Sequence, residues 1–247
     1  MFTSVNRHRK KTNMLTVQEL HSGYGRIPIL NGINLKVAQG EVLGILGHNG
    51  MGKTTLIKTL MGFIDTTHGT IELEGRDITR ASPNKRARAG FGYVPQGRDI
   101  FPRMTVEDNL RFAIAASGNP SKTKLDEILQ QFQRLVPIMG REGGALSGGE
   151  QQILAIARCL CASPKLMFLD EPTEGIQPSI IEQIIDLLST LRKKSQLTIV
   201  LVEQNLEFVS SLSDRVAIIQ KGKILNEFAP SRLEDAKVLD DYIGVID

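Results

Sequence analysis

Gly47-His48-Asn49-Gly50-Met51-Gly52-Lys53-Thr54-Thr55 decides the fold of this chain. It satisfies G-x-x-x-x-G-K-[ST] at every constrained position, follows the apolar run Val42-Leu43-Gly44-Ile45-Leu46, and precedes Leu56, Ile57, Leu60 and Met61 at helical spacing. Strand, glycine-rich loop and helix stand in the order that a phosphate-binding loop needs. Glycines bare successive backbone N–H groups, which can wrap phosphates at the positive end of a helix dipole. Lys53 adds a point charge for the β- and γ-phosphates, and Thr54 offers a hydroxyl to Mg²⁺. The expected ligand is a nucleoside triphosphate.

The 247 residues suffice for one substantial core, or one core with a smaller appended subdomain. Hydrophobic residues at 41% and charged residues at 23% are ordinary for a globular protein. No apolar run approaches the ~20 residues that cross a bilayer, so any membrane role is expected to come through a partner. Arg7, Arg9, Lys10 and Lys11 form a basic cluster in residues 1–13 without the apolar stretch of a signal peptide, and are read as a solvated, disordered tail. A net charge of +3, concentrated in that tail, does not suggest a nucleic-acid groove. Cys159 and Cys161 fall within a helical apolar pattern and read as reduced core residues, and the four histidines form no ligand cluster.

Short strand-like runs recur at Leu15–Leu20, Ile33–Val37, Glu41–Leu46 and Thr70–Leu73, broken by Gly23, Gly25, Gly40 and Gly69. Phe91–Pro95 reads as a further strand. The texture then turns helical over a segment of about 97–146, where Thr105-Val106-Glu107-Asp108 resembles a capping box. Leu125, Ile128, Leu129, Phe132, Leu135 and Val136 follow at helical spacing. Leu166–Leu169 and Thr198–Val202 are apolar runs of strand length on either side of a long helical pattern, Ile180 to Leu191. Buried strands alternating with amphipathic helices argue for a parallel sheet covered on both faces. Arg215–Gln220, Lys221-Gly222 and Lys223–Leu225 read as a hairpin, and residues 14–247 as one domain with a helical insert.

Hydrolysis needs a metal-holding acid and a group that activates water. Asp170-Glu171-Pro172, at the end of the Leu166–Leu169 run, supplies both: Asp170 to hold Mg²⁺ and Glu171 to polarise the attacking water. Leu146-Ser147-Gly148-Gly149-Glu150-Gln151 is the third element. Ser147 and Glu150 stand at capping-box spacing, but two adjacent glycines exceed what a cap requires and let a second anion approach the helix dipole. One chain with one ATP pocket has no use for that second terminus; a homodimer or heterodimer sandwiching ATP has.

The ordered set Gly47–Thr55, Gln96, Leu146–Gln151 and Leu166–Glu171 resembles the ATPase subunits of ATP-binding cassette (ABC) transporters. The resemblance covers nearly the whole chain from Met14. It implies an α/β P-loop NTPase fold with a mainly parallel sheet core, an antiparallel β subdomain and a helical insert subdomain. It also implies ATP and Mg²⁺ as ligands, and a head-to-tail dimer in which each phosphate loop faces the other chain's Ser147-Gly148-Gly149. The glutamine matching Gln96 contacts Mg²⁺ in that family, and an aromatic matching Tyr24 stacks on adenine.

Two departures narrow the match. Gln204 stands where the family usually has a histidine contacting the γ-phosphate, and its neighbour Glu203 reads as a structural residue. Gln177 replaces a usual aspartate, and the two departures together imply slower or more partner-dependent hydrolysis. Pro95–Pro102, Glu174–Ser179 and Val202–Asn205 together look like the branch for bacterial uptake of branched-chain amino acids, urea and short amides, with Glu174–Ser179 leaning toward urea. That implies a peripheral subunit at the cytoplasmic face of the inner membrane. Its expected partners are a separate permease, a second ABC ATPase subunit and, indirectly, an extracytoplasmic solute-binding protein, with no nucleic acid. The alternatives are a non-transport ABC ATPase and a nucleotide-gated interaction module with low turnover.

Overall fold

The computed structural model describes residues 12–118, 121 and 123–235, so the basic cluster at Arg7–Lys11 lies outside the described residues. In chain order the strands and helices are β1 Asn13–Tyr24, β2 Ile27–Ala38, β3 Val42–Leu46, α1 Lys53–Met61, β4 Thr66–Leu73, β5 Arg76–Asp77, α2 Pro83–Arg88 and β6 Phe91–Val94. They continue as α3 Val106–Ala116, α4 Lys124–Gln131, α5 Gly148–Leu160, β7 Leu166–Asp170, α6 Pro178–Ser195, β8 Thr198–Glu203, α7 Leu206–Leu212, β9 Arg215–Gln220 and β10 Lys223–Phe228.

Six strands form one sheet in the order β10-β9-β3-β8-β7-β6, parallel except for β10 at one edge. The apolar runs are continuous because both faces are buried, and alternate residues serve different cores. Met167, Leu169, Ile199 and Leu201 point into a core shared with α3 to α7. Leu166, Phe168, Val200 and Val202 point into another, shared with α1 and a second sheet of order β2-β1-β4-β5. That second sheet is antiparallel throughout. One face of the central sheet is therefore covered by helices and the other by α1 with a sheet.

Two local expectations are corrected. Gly23 and Gly69 do not interrupt strands: β1 runs through the first and β4 through the second. Gly69 has φ +92, and a Cβ there would lie 2.2 Å from the carbonyl oxygen of Glu19. Glu19 itself has φ 44, where the β1–β4 register shifts, so the glycine accommodates a bulge in its neighbour and does not end a strand. The spacing from Leu125 to Val136 predicts one helix, but α4 stops at Gln131 and a 3-10 turn covers Gln133–Ile138. Pro137 lies in that turn, and its ring would clash with the carbonyl four residues back in a continued α-helix.

The phosphate-loop helix is anchored at its far end by Arg86, on α2 and only 2% exposed. Its guanidinium donates to the carbonyls of Thr59 at 2.8 Å and Leu60 at 2.6 Å in the last turn of α1, to Thr79 at 2.7 Å and to Ala81 at 2.9 Å. A cation at a helix C-terminus complements the dipole; the Leu60 carbonyl lies beyond the reach of the helix's own N–H groups, while that of Thr59 also accepts from the Gly62 N–H at 3.0 Å. Burial draws the Arg86 pKa below the usual guanidinium value, an effect opposed by Asp77. Replacement by Met is expected to remove these guanidinium hydrogen bonds from a buried site and cost about 3 kcal/mol, a loss of roughly 6–12 °C in Tm for a chain of this size. Thermal melting should detect it, with exposed Arg88→Met within about 0.5 kcal/mol of the parent as the control.

Candidate active site

The parallel register brings the chemistry to one edge. Leu46 pairs with Glu203 and Asp170 with Val202, so the loops after β3, β7 and β8 leave the sheet at the same carboxyl end, where α/β sheets hold ligands. The loop after β6, carrying Gln96, leaves beside them. A cleft of about 380 Å³ opens there, lined by Asn49, Gly50 and Gly52–Thr55 together with Ile29, Gln96 and Glu171.

Gly52 precedes α1 with φ 103, a conformation closed to side-chain-bearing residues, and lets the loop turn into the helix. Lys53 is buried and folds its ammonium back under the loop. It donates to the carbonyls of Gly47 at 2.7 Å and His48 at 3.0 Å, and pairs with Glu171 Oε1 at 2.9 Å. Thr54 Oγ1 donates to Asp170 Oδ1 at 3.0 Å, while the Tyr93 hydroxyl donates to Oδ2 at 3.2 Å. Burial raises the pKa of Asp170, and both hydrogen bonds oppose the rise. Burial, followed by the Asp170 charge, also pushes the Tyr93 phenol upward, so it remains a neutral donor. A hydroxyl, a carboxylate and an amide oxygen form a hard-oxygen set that suits Mg²⁺, which takes few protein ligands and completes its shell with water and phosphate.

Glu171 is buried with φ 47, a backbone conformation uncommon outside glycine. Gln96 Nε2 lies 3.4 Å from Glu171 Oε2 and donates to Glu174 Oε2 at 3.0 Å. Glu203 latches two loops together. Its Oε1 accepts from the N–H and hydroxyl of Thr173 at 2.9 and 2.7 Å, and its Oε2 from the N–H groups of Gln204 and Asn205 at 2.9 and 3.2 Å. With four donors already engaged, Glu203 is built into the scaffold, which is the structural reading its sequence position suggests. Gln204 Nε2 donates to Asn49 Oδ1 on the phosphate loop at 3.2 Å.

Leu146 to Gln151 do not line this cleft. Leu146 enters the helical core, and Ser147 caps α5 with both bonds of a capping box: its Oγ accepts from Glu150 N–H at 3.3 Å, and Glu150 Oε2 accepts from Ser147 N–H at 2.7 Å. Gly149 has a packing reason absent from the sequence reading, since a Cβ there would lie 2.7 Å from Ile180 Cγ2. Tyr24 is half exposed and does not line the cleft either. Ile29, Tyr93 and Glu174, which do touch the site or its carboxylates, escape sequence reasoning. Ile29 and Tyr93 look like ordinary strand residues, and Glu174 like a solvated charge.

A profile for ABC transporters matches residues 30–174. The high-affinity branched-chain amino acid transport ATP-binding protein BraG of Pseudomonas aeruginosa is 36% identical over 94% of this chain and 100% of the relative. The "Probable branched-chain amino acid transport ATP-binding protein LivF" of Archaeoglobus fulgidus is 34% identical over 95% of this chain and 100% of the relative. Among solved structures, the ADP conformation of MJ1267, an ATP-binding cassette of an ABC transporter, matches with a TM-score of 0.84 and 28% identity, covering 94% of this chain and 99% of that one. With the phosphate loop, the Asp170-Glu171 strand end and the capped Ser147 helix in one chain, these matches establish that the protein belongs to the ABC transporter family, as an ATP-binding, ATP-hydrolysing subunit.

Proposed function

We propose that this chain powers a bacterial importer for branched-chain amino acids or short amides such as urea. It would sit at the cytoplasmic face of the plasma membrane on a separate permease, paired head to tail with a second ATPase subunit. An extracytoplasmic binding protein would deliver the solute. Among the described residues no helix is long and apolar enough to cross a membrane, in keeping with a separate permease. The observation that carries the reading is the division of the chain's phosphate-binding features. Lys53, Thr54, Gln96 and Glu171 meet at one cleft with Asp170 against Thr54, while Ser147–Gln151 lie off it and suit a second nucleotide.

In this mechanism the loop N–H groups and Lys53 take the β- and γ-phosphates, so the ammonium exchanges Glu171 for phosphate oxygen. Glu171, no longer paired, orients a water in line with the γ-phosphorus and accepts its proton. When bound, Mg²⁺ would supply positive charge to offset that of the phosphates. Thr54, Asp170 and Gln96 are the residues that would hold it. Gln204, through Asn49, steadies the loop over the γ-phosphate by hydrogen bonding alone and carries no titrating charge. Both curated relatives named above favour branched-chain amino acids, whereas Glu174–Ser179 leans toward urea by resemblance. This subunit touches neither solute.

Glu171→Gln in the assembled complex is expected to keep ATP binding and lower kcat by ~10²-fold or more, with Gln204→Ala losing less. Steady-state ATPase assays check this, and full activity in Glu171→Gln would reverse the assigned roles. Ser147→Arg should leave ATP binding to the single chain intact and abolish turnover, because it crowds a surface needed only when two chains close. Normal turnover in that variant would sink the sandwich dimer. For the solute, vesicles carrying the complex should accumulate labelled leucine in an ATP-dependent manner when the binding protein is supplied. Accumulation of urea and not leucine would move the chain to the amide side, and accumulation of neither would overturn the branch.

A further inference from the structure

Two residues beyond Gln96, Arg98 is held between segments that the proposed reaction assigns to different nucleotides. Its Nη2 donates to the carbonyl of Glu174 at 3.2 Å, and its Nη1 donates to Gln151 Oε1 at 3.2 Å. Glu174 lies three residues after Glu171 and receives Gln96 Nε2 on its carboxylate at 3.0 Å. Gln151 lies near the start of α5, in the segment that the proposed dimer would turn toward the other chain's ATP. One guanidinium thus spans the gap between the loop after Glu171 and the start of α5.

The backbone is bent to put it there. Gly97, Arg98 and Asp99 have φ of 82, 73 and 48, and the left-handed region is unfavourable for the two that carry side chains. The bend is braced from behind by Arg158, which donates to the carbonyl of Asp99 at 2.6 Å and lies 4.4 Å over the Phe101 ring. Arg98 crowds the helix start so closely that a Cβ on Gly148 would lie 3.2 Å from its Nη2. A cation beside a helix N-terminus opposes the dipole, so helix stability does not account for the placement. Bridging does, because the planar fork of arginine donates in two fixed directions.

We propose that Arg98 is a positioning residue that couples the two nucleotide sites of the dimer. When Gln96 is drawn to Mg·ATP it leaves the Glu174 carboxylate, and the loop after Glu171 relaxes. Arg98, bonded to that loop's carbonyl, passes the displacement to Gln151 and the first turn of α5. The meaning for the dimer rests on the reading of Ser147–Gln151 given above, but the bridge is testable within one chain.

The test is hydrogen exchange on the dilute full-length chain, with and without Mg²⁺ and the β,γ-imido analogue of ATP. In the parent, the analogue should protect Gly47–Thr55 and change exchange at Gly148–Gln152 by about fivefold or more, the lower end of usual coupling. In Arg98→Met the first response should persist, with analogue affinity within about twofold, and the second should vanish. Arg98→Gln, a donor with one end, carries the same expectation should the Met variant not fold. A response at α5 that survives in the variant overturns the bridge, and so does a parent whose α5 never responds while the phosphate loop does. Restoration by Arg98→Lys would also overturn it, since charge would then suffice. Absence of protection at Gly47–Thr55 would bring down the site reading itself, and the bridge with it. A residue that merely staples the fold would lower Tm and leave both responses in place.

Discussion

The ion pair between Lys53 and Glu171 joins the phosphate loop to the carboxylate just after β7, and it is buried on both sides. Taking two charges out of water costs several kcal/mol per ion, and removing either partner alone is more damaging than removing both. The pair persists because the ammonium has two further acceptors, the carbonyls of Gly47 and His48. The phosphate loop is consequently wrapped around its own lysine. A phosphate bound there as proposed would compete with that carboxylate for the ammonium. In the proposed reaction that competition is useful, because the group displaced is the one that must turn to water.

The scaffold makes this meeting possible through register. Had β3 and β8 paired one residue out of step, alternate side chains would exchange cores, and Ile199 and Val200 would each face the wrong layer. Two separate hydrophobic layers, one helical and one built from α1 with the antiparallel sheet, therefore fix the same alignment from opposite sides. Arg86 adds a third constraint by gripping the last turn of α1, so the helix whose first turn faces the phosphates is held at its far end. Glu203 adds a fourth, tying the loop after Glu171 to the one before α7.

Much of this was legible in the sequence because its signals are local. The phosphate loop needs glycines and a lysine within nine residues, the carboxylates need a strand end, and Ser147 with Glu150 announces a capped helix three residues in advance. What was not legible arises between loops that meet only after folding. Tyr93 on Asp170, Glu174 on Gln96 and Arg98 between Gln151 and Glu174 each join separate segments, and none has a spacing that would reveal it. The misread Gly69 is of the same kind, since its conformation answers to a bulge at Glu19 on the neighbouring strand. Gly149 carries a further lesson. Two glycines at a helix start suggested bared N–H groups, yet one of them is also required by the close approach of α6 at Ile180.

That packing reason does not remove the anion-binding reading of α5, because the cap and the charges around it leave room for both. In the capping box the Ser147 oxygen acts only as an acceptor from Glu150 N–H, and a hydroxyl that accepts still has its hydrogen to donate. Glu150 stays ionised, its pKa lowered chiefly by the Ser147 N–H, and this negative charge at the helix start would repel phosphate if it stood alone. It does not stand alone. Arg141 lies 3.5 Å from it, and Arg98 reaches the same turn through Gln151. Two cations and the helix dipole outweigh one carboxylate, so the terminus presents a positive field and an available O–H. The field is modest, as exposed charges in water must be. In the proposed dimer it would gain strength when a second chain covers it and excludes solvent, and a terminus of this construction would then bind phosphate late, on closure.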